Sequence, residues 1–142
     1  MKTIFAIAAA LSATLLLTAC VQPGAGAVSD TPSIEGAWSV AEIDGAAIPA
    51  SVPVTAVFSG DGRVGGVSGC NNYGGNYSYK RGVVTVTEVS MTQMACMDEQ
   101  RMEVEAKFHQ RFTGELTAAS LPDGALSLNA GAGSLVLRRE AK

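Results

Sequence analysis

Val54-Thr55-Ala56-Val57-Phe58-Ser59-Gly60-Asp61-Gly62-Arg63-Val64-Gly65-Gly66-Val67 is the stretch that decides the fold class. Val54, Ala56 and Phe58 fall on one face, and Thr55, Val57 and Ser59 on the other. That alternation is the period of a half-buried strand. Gly60-Asp61-Gly62 supplies a tight turn, so Arg63–Val67 is expected to pair back as a hairpin.

The same signals extend outward. Ile34–Ile43 carries Trp38, Val40 and Ile43 and stops at Asp44-Gly45. Ser68–Tyr73 reads as a loop, because Gly69, Asn71 and Asn72 tolerate unusual backbone angles. Asn76–Lys80 and Val83–Val89 read as two strands joined through Lys80-Arg81-Gly82. Leu116–Leu121, Ala125–Asn129 and Leu135–Arg138 read as three more, with Leu126 and Leu128, then Leu135 and Leu137, keeping period two. One stretch changes period. Between Asp98 and Thr113 the apolar residues are Val104, Phe108 and Phe112, with Met97 one heptad before Val104, which is one face of a helix. Asp98 suits the N-cap and Gly114 the terminator. Glu99, Gln100, Glu103, Lys107 and Gln110 fill the wet side. The expectation is an α+β chain, mostly β: a small antiparallel barrel-like sheet of about eight short strands with one helix packed on it, since closure removes exposed edges.

The N-terminus is of a different kind. Met1-Lys2-Thr3 precedes an apolar run from Ile4 to Leu17, followed by Leu17-Thr18-Ala19-Cys20. A basic start, an apolar region and small residues before a cleavage point make a signal peptide. The run is short of the roughly 20 apolar residues of a membrane span. Leu-Thr-Ala-Cys resembles the bacterial lipobox, in which the Cys sulfur receives a diacylglycerol. Residues 1–19 are therefore expected to be a lipoprotein signal peptide and Cys20 the lipidated residue, its acyl chains (palmitate among them) anchoring the protein. Each buried methylene contributes about 0.8 kcal/mol. Residues 20–33, rich in Gly, Ala, Pro, Ser and Thr, read as a flexible tether. The folded domain is expected over 34–142. In lipoproteins an Asp after the anchor Cys favours inner-membrane retention. Val21 stands there instead, which points to the periplasmic face of the outer membrane.

With 10 Lys and Arg against 13 Asp and Glu, the chain is slightly acidic. It has no basic run, so electrostatic binding to nucleic acid is not expected. Of the 3 cysteines, Cys20 is taken by lipid. Cys70 and Cys96 remain as an even pair in an oxidising compartment, where a structural disulfide is expected. There is no C-x-x-C and only 1 His, which speaks against a redox or zinc pair.

Phe58-x-x-Asp61-Gly62-Arg63-Val64-x-Gly66-x-x-Gly69-Cys70-Asn71-Asn72-Tyr73-x-Gly75-x-Tyr77 resembles the first signature of the META domain, a family that includes the HslJ-like envelope proteins. Thr92-x-Met94-Ala95-Cys96 resembles the second signature, and Ala125-Leu126-Ser127-Leu128 matches a late hairpin strand in kind. The resemblance covers roughly Ile34 to Arg138. It implies a small β-rich barrel with one helix, and an envelope or secreted protein tied to stress response, drug tolerance, motility or virulence. It implies no catalytic residue set.

The residues themselves offer little chemistry. His109 stands on the helix beside Phe108, as a surface or boundary histidine without a nucleophile to serve. No G-x-S-x-G elbow occurs. Asp98, Glu99, Glu103 and Glu105 read as a solvated helix face with an i,i+4 pair at most. Gly65-Gly66 and Gly74-Gly75 read as turn, bulge or close strand packing, not as phosphate loops. The stretch from Asn71 to Tyr79 holds all 3 tyrosines. Asn71, Asn72, Tyr73, Tyr77 and Tyr79 form a candidate binding surface, of the Tyr and Asn mixture found in adaptable paratopes. The methionines at 91, 94 and 97 are expected to fill the core where helix meets barrel, with a pliable groove as the alternative.

The functional expectation is a non-enzymatic, lipid-anchored binding, assembly or stress-protection protein of the envelope. Its partners would be the membrane through the lipid, and an envelope protein or a hydrophobic ligand. No metal or cofactor beyond the covalent lipid on Cys20 is expected. The alternatives are a structural lipoprotein without a specific ligand, or an envelope hydrolase using Asp61, Glu88 or His109.

Overall fold

The computed structural model describes residues 31–141. The expected signal peptide, Cys20 and most of the tether lie outside the described residues. Strands β1 (Gly36–Ile43), β2 (Ala46–Ala47), β3 (Thr55–Phe58), β4 (Arg63–Val67), β5 (Asn72–Lys80) and β6 (Val83–Met91) come first. Helix α1 (Glu99–Phe112) follows, then β7 (Gly114–Ser120), β8 (Leu126–Asn129) and β9 (Ser134–Arg139). Every pairing is antiparallel. The order β1-β3-β4-β5-β6-β7-β8-β9 returns to its start because β1 also pairs with β9. The sheet is therefore a closed barrel, with β2 a short extension hydrogen-bonded to β1. Closure leaves the eight barrel strands without a free edge.

Alternation places the core. Ala56 and Phe58 of β3, Val84 and Val86 of β6, Leu126 and Leu128 of β8, and Leu135 and Leu137 of β9 all point inward and are buried. In β1, Trp38 and Val40 point inward, and the register then shifts between Val40 and Glu42. That bulge changes the phase of the pleat, so Ile43 faces the core and Glu42 does not.

One strand was not expected and another starts earlier than expected. β2 is too short to leave a sequence pattern. β5 begins at Asn72, ahead of the expected Asn76, and runs straight through Gly74-Gly75. The glycine runs are packing positions. A Cβ on Gly66 would stand 2.3 Å from the Thr55 carbonyl oxygen, and one on Gly75 would stand 2.9 Å from that of Thr87. Opposite Gly75, the β5–β6 register shifts between Gly74 and Asn76. Glu88 takes the left-handed conformation there, at φ 53°. This is a bulge of the kind that sharpens barrel curvature.

Helix α1 starts and ends where its caps predict. The Asp98 side chain accepts the N–H of Arg101 at 3.2 Å. Gly114 follows the C-cap Thr113 with φ 98°, which a residue with a Cβ adopts at a cost. Phe108 and Phe112 are fully buried. Phe112 lies 6.1 Å from Phe58 and 5.6 Å from Tyr73 between ring centroids, so the helix face is built into the barrel core. Met97 does not continue that face. It precedes the N-cap and is 99 % exposed, because the helix begins only after Asp98 and the heptad spacing from Val104 has no helix to act through.

Candidate functional site

The residues of the expected binding surface lie at different depths. Tyr73 is buried, its ring 5.3 Å from Phe108. Its hydroxyl donates to the Thr55 carbonyl at 2.8 Å, and burial pushes its phenol well above the usual range. Asn71 is also buried. These two expected surface residues are structural, because the strand points Tyr73 inward and the preceding loop tucks Asn71 under α1. Asn72 is exposed, while Tyr77 and Tyr79 are half-buried on the same face as Tyr73, paired with the core residues Val86 and Val84, and the Tyr77 ring packs edge-on to Phe58 at 5.0 Å.

Asn71 belongs to a polar node that the sequence reading missed. Glu105 is 6 % exposed despite its charge. It accepts the Asn71 N–H at 2.7 Å, the Asn71 side-chain amide at 2.8 Å and the Ser68 hydroxyl at 2.9 Å. Burial raises the Glu105 pKa. Hydrogen bonds from the Asn71 side chain and backbone, from Ser68 and from the Cys70 N–H outweigh that effect and hold it below the ordinary carboxylate range. The expectation of a wholly solvated carboxylate face is thus corrected at Glu105. A signal was present: Glu105 stands three before Phe108 and seven before Phe112, inside the apolar stripe. The rest of that face is wet as expected, and Glu103 pairs with Lys107 at 2.7 Å.

The other face of Asn71 fastens the segment after β6. Its Oδ1 accepts from the Thr92 hydroxyl at 2.9 Å and from the Met94 N–H at 2.7 Å. Cys70 and Cys96 are joined by a disulfide, with Cα atoms 6.1 Å apart. The methionines of this segment are outside the core. Met91 is 42 %, Met94 57 % and Met97 99 % exposed, because Asn71 and the disulfide hold the segment against the rim of β5 and not under the helix.

Tyr77 and Tyr79 do line a concavity. A cleft of about 310 Å³ is bounded by both rings, by Ile34 and Glu35, and by Gly60 and Gly62 of the β3–β4 turn. The Tyr77 hydroxyl donates to Ser59 O at 2.9 Å, and that of Tyr79 to Pro32 O at 2.8 Å. Burial, then the negative charges of Glu35 and Asp61, raise the Tyr77 pKa, and burial alone raises that of Tyr79. Arg139 holds the entering chain in place. Its guanidinium donates to Ser33 O and Glu35 O, and lies 4.3 Å from the Trp38 ring centroid. The last part of the expected tether, Pro32-Ser33, is therefore docked on the barrel.

The candidates for acid–base chemistry share no hydrogen bond with one another. The Asp61 carboxylate accepts from the Arg63 N–H, and Glu88 from the Asn76 amide. His109 packs edge-on to Tyr73 with ring centroids 5.5 Å apart. Both its ring nitrogens are buried without a hydrogen-bond partner. Burial lowers its pKa more than the nearby Glu105 raises it. Among the described residues no group of His, Cys, Asp and Glu is placed to hold a metal ion, and no helix is long and apolar enough to cross a membrane.

The META domain family model matches residues 31–142, the whole of the barrel just described. The chain belongs to the META domain family. Two solution structures resemble this META barrel. One, of a protein from Burkholderia xenovorans, is 21 % identical with a TM-score of 0.62, and the match covers 96 % of this chain and 100 % of that one. A second is 18 % identical with a TM-score of 0.60, covering 73 % of this chain and 88 % of the other. At such identities the likeness establishes the fold alone. No curated protein matches the chain.

Proposed function

We propose that this META domain is a non-catalytic binding module, held by lipid on Cys20 at the periplasmic face of the outer membrane. The observation that carries the reading is the cleft between the entering chain and the β3–β4 turn, where Tyr77 and Tyr79 lie beside Ile34 and Glu35. Two aromatic walls next to acidic Glu35 and Asp61 suit a segment of an envelope protein that presents apolar or basic side chains. The cleft adjoins the chain leading to Cys20, so its occupant would be met close to the bilayer. His109, whose buried ring nitrogens hydrogen-bond to neither Asp61 nor Glu88, supports a non-catalytic role.

A second reading, a structural or stress-protective lipoprotein without a specific ligand, draws on one observation. Both cleft hydroxyls are already satisfied by backbone carbonyls, as expected of rings that brace the barrel.

In-cell crosslinking from p-azidophenylalanine at position 77 separates the two. A recurrent protein adduct, lost when the probe moves to exposed Glu115 on β7, supports the binding module and identifies its partner. No adduct, from a probe-bearing protein that is abundant, anchored and disulfide-bonded, favours the structural reading.

A further inference from the structure

Of the 5 methionines in the chain, all but Met1 stand between positions 91 and 102. All of these are exposed: Met91 42 %, Met94 57 %, Met97 99 % and Met102 43 %. Methionine is ordinarily a core residue that fills gaps. This domain uses none of its methionines that way and collects them on one part of its surface.

The backbone carrying them is fixed. Thr92 N–H donates to Asn72 O at 2.9 Å, Met94 N–H donates to Asn71 Oδ1 at 2.7 Å, and Cys96 is bonded to Cys70. The segment is thus strapped to the start of β5 at three successive points. Met97 then precedes the N-cap Asp98, and Met102 is the fourth residue beyond it. Those are the two positions whose side chains meet when a hydrophobic staple forms at a helix start. Here Met97 is fully solvated, so the staple is open, with two thioethers at meeting positions and Met94 one short step upstream.

We propose that Met94, Met97 and Met102, with Met91 at the margin, form a surface site for a soft monovalent metal ion, Cu(I) or Ag(I). Thioether sulfur is a soft, uncharged ligand that selects such ions over hard or borderline divalent ones. The competing donors are disposed of nearby. Cys70 and Cys96 are a disulfide and not thiolates, and the Asp98 carboxylate is engaged with Arg101. The sole histidine, His109, has its ring nitrogens buried. Binding would close the open staple over the metal. The site shares no residue with the Tyr77–Tyr79 cleft and does not depend on the function proposed for it.

The test uses the full chain in mild detergent, carrying methyl-labelled methionine, with free thiols blocked by N-ethylmaleimide. Titration with Ag(I), followed by NMR of the methionine methyl groups, is expected to shift the signals of Met94, Met97 and Met102 together and to saturate at one equivalent. Competition with bicinchoninate is expected to show Cu(I) binding that weakens at least tenfold in Met97→Leu. It is expected to vanish in the triple variant M94L/M97L/M102L, which stays folded because leucine replaces methionine at exposed positions. Methyl signals that do not respond, or Cu(I) affinity retained in the triple variant, overturn the proposal. An apolar partner that binds the triple variant as well as the parent, with no silver response in the parent, assigns the patch to hydrophobic docking instead.

Discussion

Glu105 on α1 accepts the backbone N–H of Asn71 at 2.7 Å, across 34 residues of chain. The same oxygen takes the Ser68 hydroxyl, and its neighbour takes the Asn71 amide. One carboxylate therefore ties the helix to the loop that opens β5, and through Asn71 to the strap after β6. Glu105→Gln keeps the shape but puts an NH₂ donor where only acceptors fit. It is expected to cost about 1.5–3 kcal/mol, the range for hydrogen bonds to a charged group. Thermal melts should show a Tm lowered by roughly 5–15 °C. The pH dependence follows from the lowered Glu105 pKa. Its stabilisation is complete above the ordinary glutamate pKa and is lost as pH falls through the lower folded value. The parent should lose stability on that acid limb, and Glu105→Gln should lose less.

His109 makes an opposite demand at higher pH. Burial holds its imidazole below the ordinary value of 6.5, so as pH falls the unfolded chain takes up the proton first. Stability should decline once pH drops below that ordinary value and continue to decline toward the folded one. His109→Phe removes the titration and two buried nitrogens that have no partner, and keeps a ring against Tyr73 and Phe108. Urea unfolding at pH 7.5 and 5.5 should find the variant about 1 kcal/mol more stable at the higher pH, with little difference between its two values. A variant that keeps the parent's pH slope would assign the slope to another group.

Much of the barrel was legible because its strands repeat every two residues and its helix carries both caps. Ala56 with Phe58 and Leu135 with Leu137 point inward as the alternation requires, and Asp98 and Gly114 bound α1 as their chemistry requires. The features that were not legible depend on partners distant in sequence. Glu105 looks like any solvated helix carboxylate until Ser68 and Asn71 are brought over it. Tyr73 and Tyr77 share the inward face and look alike until Phe108 and Phe112 of α1 are brought against Tyr73. The exposed methionines could not be placed, because what turns Met94 and Met97 outward is the amide of Asn71 and the bond to Cys70. One signal was present and unread: the spacing from Trp38 to Val40 to Ile43 steps by two and then three, which marks the bulge found in β1.

The Cys70–Cys96 bond closes a loop spanning 26 residues, which the chain-entropy relation values at roughly 3 kcal/mol. It fastens the strap and not the barrel ladder, whose strand pairings do not pass through it. Cys70→Ser combined with Cys96→Ser is therefore expected to lower stability by about that amount while leaving a β-rich circular-dichroism spectrum. Non-reducing peptide mass spectrometry of the parent should recover the two cysteines in one linked pair. Two free thiols in folded protein would remove the bond from the account of the strap.

Gly66 and Gly74 are both strand glycines without a positive φ, so they separate close packing from backbone freedom. A Cβ on Gly66 would lie 2.3 Å from the Thr55 carbonyl oxygen, whereas one on Gly74 meets nothing nearer than the Val64 oxygen at 4.0 Å. The Thr55 carbonyl cannot retreat, since it accepts the buried Tyr73 hydroxyl at 2.8 Å while the Thr55 hydroxyl oxygen accepts the Val67 N–H at 3.0 Å. Gly66→Ala must therefore push β4 away from β3 and disturb the aromatic core behind Tyr73. It is expected to leave the domain unfolded or destabilised by more than about 3 kcal/mol, at the extreme of single substitutions. Gly74→Ala, with room for its methyl, should change stability by less than about 1 kcal/mol. Denaturant unfolding of the two variants side by side measures the difference. Equal effects would mean that the β3–β4 approach, and not the carbonyl of Thr55, has slack to absorb the methyl group.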